Sequence, residues 1–461
     1  MPIRNLVVLA VAAIVCLASW AARERDARGR RFAEVLGHID RVYLEPVDGE
    51  SLFATAVEAT IAKLDEHSAF LRGAERDDLE SLLDQQFGGV GLELGIDDHT
   101  RAVKVLAPLP GSPAWRAGIV AGDVIEAIDG TATAGLPLRE VIGRLRGRPG
   151  EPVRLRVASR PPTGTLDPGT VAAGATREVA LVRETVKVES VLGDRRRPDG
   201  TWQWMLTDEP GVALVRIVSF GEHTAADLDA ALEAIDREAA GRLRGLVLDL
   251  RGNPGGLLGA AVDTCDRFLD EGVIVSTAGR RSGAAEAGVT RRAEPGAALA
   301  GVPLAVLVDG LTASAAEIVA ACLQDNGRAT VVGSRTYGKG TVQSVLPLSD
   351  GRSLLKLTTS EYLRPSRANI HRRPGDGDDD VWGVSPDVGF EITPPGAILE
   401  RTRAWRRARD VGDQGSVAAA TPRSVDPALA TALRLFSRPA TKFGGQEETS
   451  GHAHEAAAGG Q

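Results

Sequence analysis

The sequence predicts a multidomain protein of combined α/β and α+β class, with a helical N-terminal region, a small α+β module and an α/β core. Three patterns predict it. Apolar residues recur at helical spacing over residues 30–71, as in Phe32, Val35, Leu36, Ile39 and Val42. Short β-like runs and turn-rich stretches fill residues 87–159. Further on, apolar runs at 213–220, 245–250, 304–308 and 330–333 alternate with helical patterns at 225–239, 257–269 and 315–324, as an α/β core requires. A chain of 461 residues exceeds what one hydrophobic core usually organises, which agrees with several domains.

Each element follows in chain order. Residues 1–23 hold an apolar run over 6–22, preceded by Arg4 and followed by Arg23, Arg25, Arg28, Arg30 and Arg31, the layout of a signal peptide or a short signal anchor. Export is the consequence. Cleavage after Ala21 and retention as an anchor both fit, so a periplasmic protein and one held in the cell membrane with its globular part outside the cytoplasm are both expected. Residues 24–86 read as helical, with a break at Pro46-Val47-Asp48-Gly49, and are compatible with a homo-oligomer. Residues 87–160 form the α+β module, with a helix over 138–145. Residues 161–188, rich in Pro, Gly, Thr and Ala at their start, read as a connecting segment. Residues 189–400 make the α/β core, in which Thr224 followed by Asp227 looks like a helix N-cap. Residues 401–461 add a C-terminal helix and a tail without apolar period, where His452 and His454 are incidental rather than metal ligands.

Composition narrows the partners. Hydrophobic residues at 43% and charged residues at 25% are ordinary for a soluble globular chain, while 53 glycines foretell many turns and close backbone approaches. A formal charge of -8 gives no general reason to expect nucleic acid, and the locally basic stretch 401–409 reads as a solvated helix face. Three cysteines, Cys16, Cys265 and Cys322, imply no disulfide framework.

The chemistry concentrates in three segments. Thr312-Ala313-Ser314-Ala315-Ala316-Glu317 follows a buried strand and opens a helix, where unpaired N–H groups and the positive dipole end favour an alkoxide or an oxyanion. Taken alone, Ser314 is a helix cap. Tyr337-Gly338-Lys339-Gly340-Thr341-Val342-Gln343 sets a lysine between two glycines. As a general base that lysine must be neutral, which requires burial. A phosphate loop is the competing reading, but Gly340 stands where a hydroxyl should meet the metal. Leu246-Val-Leu-Asp-Leu-Arg-Gly-Asn-Pro-Gly-Gly256 runs a strand into a glycine-rich turn able to aim N–H groups at an oxyanion. No G-x-S-x-G, H-E-x-x-H or C-x-x-C occurs, and Asp376 to Asp380 lacks the glycine of a calcium loop.

Together these segments resemble the carboxyl-terminal processing proteases, peptidase family S41, whose motifs D-x-R-x-N-x-G-G, S-A-S-A-S-E and F-G-K-G-x-V-Q occur in this order. The resemblance runs from Leu64-Asp-Glu-His-Ser68 to Gly383-Val-Ser-Pro-Asp387, similar to the family's closing G-x-x-P-D. It implies a crotonase/ClpP-like core and a serine endopeptidase that cleaves exported proteins without metal or nucleotide. Ser314 then corresponds to the nucleophile, Lys339 to its general base and Gln343 to the residue orienting the lysine. Ala315 N–H with Gly255 or Gly256 N–H would form the oxyanion hole. Thr312 and Ala316 replace serines, Glu66 a proline and Tyr337 a phenylalanine, and the loop over 365–382 departs most. A non-catalytic peptide-binding scaffold and a crotonase-type acyl-CoA enzyme are the alternatives, against which the intact Ser314, Lys339 and Gln343 speak.

The α+β module resembles a PDZ domain of the protease type, from Gly88-Gly-Val-Gly-Leu92 through Gly111-Ser-Pro-Ala114 to the stretch 117–130. The resemblance implies that Gly88, Gly89, Val90, Gly91 and Leu92 take a peptide's C-terminal carboxylate while the chain adds as a strand beside residues 90–94. The expected partners are therefore proteins or peptides with apolar C-termini.

Overall fold

The structure is a computed structural model and describes residues 27–97, 100–159, 175–280, 288–412 and 421–437. The expected signal segment, His452 and His454 lie outside the described residues. No helix among the described residues is long and apolar enough to cross a membrane. The chain divides into two compact units, one of which combines the N-terminal residues through Leu79 with Val342–Ser360.

In that N-terminal unit the helical spacing over residues 30–71 resolves into Ala27–Val42 and Gly49–Ile61. The Pro46 to Gly49 break separates them because Asp48 caps the second helix, its carboxylate accepting from Glu50 N at 3.1 Å. The strand Ala69–Arg72 pairs antiparallel with the start of Ser353–Leu363, and a small core of Ala54, Ile61 and Phe70 closes over Leu348 and Leu355. The helix Ala27–Val42 buries none of its residues.

The second unit holds the remaining chain, and its first part is the α+β module. Its sheet runs in the order Leu92–Ile96, Val103–Pro108, Val124–Ile128, Pro152–Ala158, Thr176–Val182. The helix Leu138–Leu145 turns Val141 and Leu145 inward onto Val105, Ile125, Val153 and Leu155. Thr176–Val182 belongs to the sheet of the module, pairing with all of Pro152–Ala158, rather than to a connecting segment. The loop-like composition of the preceding stretch hides this strand, although Val179 and Leu181 alternate inward as a half-buried strand must.

The α/β core is built on a five-stranded sheet ordered Val191–Leu192, Val212–Ile217, Gly245–Asp249, Leu304–Val308, Thr330–Gly333. Only the first pair is antiparallel. Gly245–Asp249 and Leu304–Val308 are buried at every position, which is why both read as continuous apolar runs without alternation. Val247, Ala305, Leu307 and Val332 face the C-terminal helices Gly396–Asp410 and Pro427–Leu435 through Trp405, Leu429, Leu433 and Phe436. The crossover helices Thr224–Ala239, Leu258–Asp266 and Ala315–Asp325 cover the opposite face. Thr224 is the first residue of its helix rather than its cap. Its buried hydroxyl instead accepts from Gly221 N at 2.9 Å and from Gln85 Nε2 at 3.2 Å.

Candidate active site

The site grows from the C-terminal ends of two neighbouring parallel strands, Gly245–Asp249 and Leu304–Val308, where Asp249 lies in register with Leu307. Loops leaving adjacent strand ends on one edge of an open sheet form a crevice, the usual place for chemistry in such folds. Here the two loops are stitched together. Gly252 N donates to Asp309 Oδ1 at 2.9 Å, Thr312 Oγ1 to the Leu250 carbonyl at 2.9 Å and Ala313 N to the Asn253 carbonyl at 2.9 Å.

Ser314 follows immediately. It is 7% exposed and holds φ 55° and ψ -118°, a left-handed backbone that costs a residue with a Cβ on the order of 1–3 kcal/mol. Its main-chain carbonyl caps the helix, accepting from Glu317 N at 2.9 Å and Ile318 N at 3.1 Å. The residue is thus turned sharply out of the strand-to-helix path, and Ala315 N–H stands at the first turn of the helix beside it.

The residue that ties the site together is Glu317, at the end of the Thr312 to Glu317 segment and outside the residues to which the sequence assigns chemistry. Its carboxylate is fully buried and accepts four hydrogen bonds: Thr336 Oγ1 at 2.5 Å and Gly338 N at 2.7 Å on Oε1, then Ser314 N at 2.8 Å and Lys339 N at 2.8 Å on Oε2. One oxygen therefore holds the main chains of Ser314 and Lys339 on a common acceptor. Burial pushes the Glu317 carboxyl above its ordinary value and outweighs the hydrogen bonds that favour the charge. The spacing Ser314-Ala-Ala-Glu317 is that of a capping box, the signal from which this role was readable.

The lysine loop is crowded from the other side. A Cβ on Gly340 would lie 2.4 Å from His371 N, a backbone atom that no rotamer change removes. Arg372 N donates to the Gly338 carbonyl at 2.8 Å and Val384 N to Thr336 Oγ1 at 2.7 Å. Trp382, buried between the guanidinium groups of Arg335 and Arg372 at 4.6 and 4.5 Å, anchors this strap. The atypical stretch over 365–382 thus packs against the lysine loop, but Lys339 is only half-buried, short of the burial expected of it from the sequence.

The glycine-rich turn faces Ser314. Gly255 has φ +102°, and a Cβ there would meet Ser314 Cβ at 2.8 Å and Ala315 N at 3.0 Å. Its N–H donates to Asn253 Oδ1 at 2.8 Å, while Asn253 Nδ2 donates to the Ile217 carbonyl at 2.8 Å. Between the two glycines the sequence offered, Gly255 is therefore already engaged. Gly256 N–H meets no acceptor among the described residues. Upstream, Arg251 grips Asp249 through Nε at 2.9 Å and Nη2 at 2.7 Å. Burial pushes Asp249 up, but the Arg251 guanidinium and its hydrogen bonds hold the carboxyl below its ordinary value.

Residues 211–390 match the model of peptidase family S41, and residues 104–159 match a PDZ domain. A carboxy-terminal-processing protease of Bartonella bacilliformis is 32% identical over 403 residues, covering 85% of this chain and 83% of that protein. One of Synechocystis sp. is 36% identical over 389 residues, covering 82% of this chain and 81% of that protein. The chain belongs to peptidase family S41. The solved photosystem II D1 C-terminal processing protease is 30% identical, with a TM-score of 0.42 over 82% of this chain and 92% of that one. By its family-model match and its curated relatives, this S41 chain is a serine peptidase of the carboxyl-terminal processing type with a PDZ domain, on the α/β multidomain fold that the sequence predicted.

In this S41 peptidase Gln343 stands four residues after Lys339, on the strand Thr341–Pro347. Within the N-terminal unit its amide donates to Thr358 Oγ1 at 3.4 Å. Thr358 is bound in turn by Asp65 and Ser68 of the Leu64-Asp-Glu-His-Ser68 element, at 3.2 and 3.1 Å. In the PDZ domain, Gly88 and Gly89 lie on a short strand paired with Glu184–Lys187, and Val90 is buried in the core. The Val90 carbonyl accepts from Ala114 N and the Gly91 carbonyl from Leu109 N, each at 2.9 Å. Leu92–Ile96 forms the edge of the sheet, next to the helix Leu138–Leu145.

Proposed function

We propose that the chain is an endopeptidase in which Ser314 is the nucleophile and neutral Lys339 its general base, with Gln343 orienting the lysine. Ser314 Oγ attacks a peptide carbonyl carbon and passes its proton to Lys339 Nζ. The tetrahedral oxyanion rests on the N–H groups of Ala315 and Gly256. On collapse the C–N bond breaks, Lys339 returns the proton to the departing amine, and water activated by the lysine hydrolyses the acyl-enzyme. The observation that carries this reading is Glu317 Oε2, the single acceptor shared by the Ser314 and Lys339 main chains.

Substrate choice is assigned to the PDZ domain. A protein C-terminus adds as a strand beside Leu92–Ile96, its carboxylate held near the Gly88, Gly89, Val90, Gly91 and Leu92 main chain and its apolar last side chain seated against the helix Leu138–Leu145. The N-terminal apolar run and the bacterial and chloroplast relatives support work on exported proteins, either free in the periplasm or anchored. The test is cleavage of a polypeptide with an apolar C-terminus by the purified protein. Ser314→Ala and Lys339→Ala should each abolish turnover without loss of folded protein, and turnover that survives both substitutions overturns the reading.

A further inference from the structure

We propose that the C-terminal helices of this chain belong to its catalytic machinery: Asp426, acting through Arg251, is a positioning residue for the oxyanion turn. The inference rests on the Ser314–Lys339 reading above and deepens it, because Asp426 lies beyond residues 211–390, which match the family model.

Three observations carry it. First, Asp426 is a cap and a clamp at once. Its side chain accepts from Leu429 N at 3.0 Å as the N-cap of Pro427–Leu435, and it also takes Arg251 Nη1 at 2.9 Å on Oδ1 and Arg251 Nη2 at 2.8 Å on Oδ2. At 1% exposure this ion pair is sealed from solvent on the aspartate side. Second, Arg251 has another carboxylate, Asp249, only two residues back, so that pair could move with the turn as one body. Asp426 is the partner that comes from a different element, and among the described residues it is the one that ties the guanidinium to the packed helix whose Leu429 and Leu433 sit in the sheet core. Third, the consequences of moving Arg251 run directly into the site. Two residues on, the fully buried Asn253 carries the turn. Its amide grips the Ile217 carbonyl, its Oδ1 holds Gly255 N, and its main-chain carbonyl holds Ala313 N beside the nucleophile. The space between Gly255 and Ser314 is too small for even a methyl group, since a Cβ on Gly255 would lie 2.8 Å from Ser314 Cβ, so the turn has little slack in which to absorb a displacement. A shift of about 1 Å in an oxyanion donor is enough to cost on the order of 100-fold in rate.

The chemistry of the cap makes the idea separable from plain helix loss. Asn and Ser cap helices about as well as Asp. Asp426→Asn keeps the cap and the Arg251 Nη1 bond on Oδ1 but turns an NH₂ toward Arg251 Nη2, and Asp426→Ser keeps the cap while falling short of Arg251. Steady-state cleavage of one peptide by the full-length chain is measured for both, with circular dichroism and melting followed in parallel. Both substitutions should lower kcat on the order of 10- to 100-fold with KM within about twofold. Adding Arg251→Gln to Asp426→Asn should cost no more than Arg251→Gln alone, because the two act as one unit. Arg423→Ala removes the ion pair to Glu209 on the outside of the same helix pair and should leave kcat unchanged. Wild-type kcat in both Asp426 variants overturns the inference, as does an equal loss in Arg423→Ala. If Ser314→Ala is inactive while the Asp426 variants are normal, only this inference falls. If Ser314→Ala retains turnover, the underlying reading falls with it.

Discussion

A single carboxylate, Glu317, meets three main-chain N–H groups and one hydroxyl in a space closed to water, and its charge state has two consequences. Because burial raises its pKa above 4.5, the native protein binds the proton more tightly than the unfolded chain does in the window between 4.5 and the raised value. Within that window stability falls as pH rises, and the loss is complete above it. Activity runs the other way, since a protonated carboxyl cannot accept from every donor aimed at it. Glu317→Gln should flatten the stability slope in that window. Its amide should turn NH₂ toward Thr336, whose hydroxyl can accept, leaving Gly338 N without its acceptor while Ser314 and Lys339 keep theirs. The expected cost is about 1–3 kcal/mol in urea unfolding and roughly tenfold in kcat. Glu317→Ala, which frees all four donors, should abolish turnover. An unchanged pH profile in Glu317→Gln would show that another group sets it.

At the scale of elements, the lysine loop and the strap over 365–382 show how packing fixes a residue that no regular structure holds. Gly340→Ala places a methyl against the His371 backbone and should destabilise by about 1–3 kcal/mol. It should also displace Lys339 enough to cut kcat on the order of 100-fold. Gly143→Ala, in the helix Leu138–Leu145 with nothing within 4 Å of the added methyl, is the matched control and should stabilise by up to about 1 kcal/mol. If the two variants behave alike in kcat, the crowding around Gly340 has no catalytic role. The elements themselves were legible wherever burial writes a simple pattern. The runs at 304–308 and 330–333 coincide with strands because both sheet faces are covered, and the helix over 138–145 shows its inward Val141 and Leu145 in its spacing. What was not legible depends on partners far away in sequence. Thr176–Val182 is a strand because Pro152–Ala158 offers it an edge, and Thr224 is no cap because Gln85 and Gly221 claim its hydroxyl. Ser314, Lys339 and the glycine turn announced themselves by order and glycine content. Asp426 did not, and Glu317 showed only its capping-box spacing to Ser314, because a buried carboxylate acquires its function from the donors the fold brings to it.

At the scale of the whole molecule, the proposed capture of a protein C-terminus requires a terminus to be told apart from the interior of a chain, and the PDZ domain offers a physical means. Strand addition beside Leu92–Ile96 supplies main-chain hydrogen bonds that any extended peptide can make, so affinity from this source carries no information about chain ends. A terminal carboxylate adds a charge that only an end possesses, and an apolar last side chain adds burial worth about 25 cal/mol per Å². A peptide amidated at its C-terminus keeps the strand contacts and the apolar side chain but loses the charge. Charge-assisted hydrogen bonds contribute about 1.5–3 kcal/mol, so amidation should weaken productive binding by roughly 10- to 100-fold. Because the PDZ domain binds rather than reacts, the loss should fall on KM and leave kcat at saturation near that of the free acid. Replacing the last apolar residue by aspartate should act in the same direction, while a substitution well upstream of the terminus should alter cleavage without altering capture. The measurement is kcat and KM for matched peptides that differ only at the C-terminus. Equal KM for the acid and the amide would remove the PDZ domain from substrate selection and leave the choice to the crevice around Ser314.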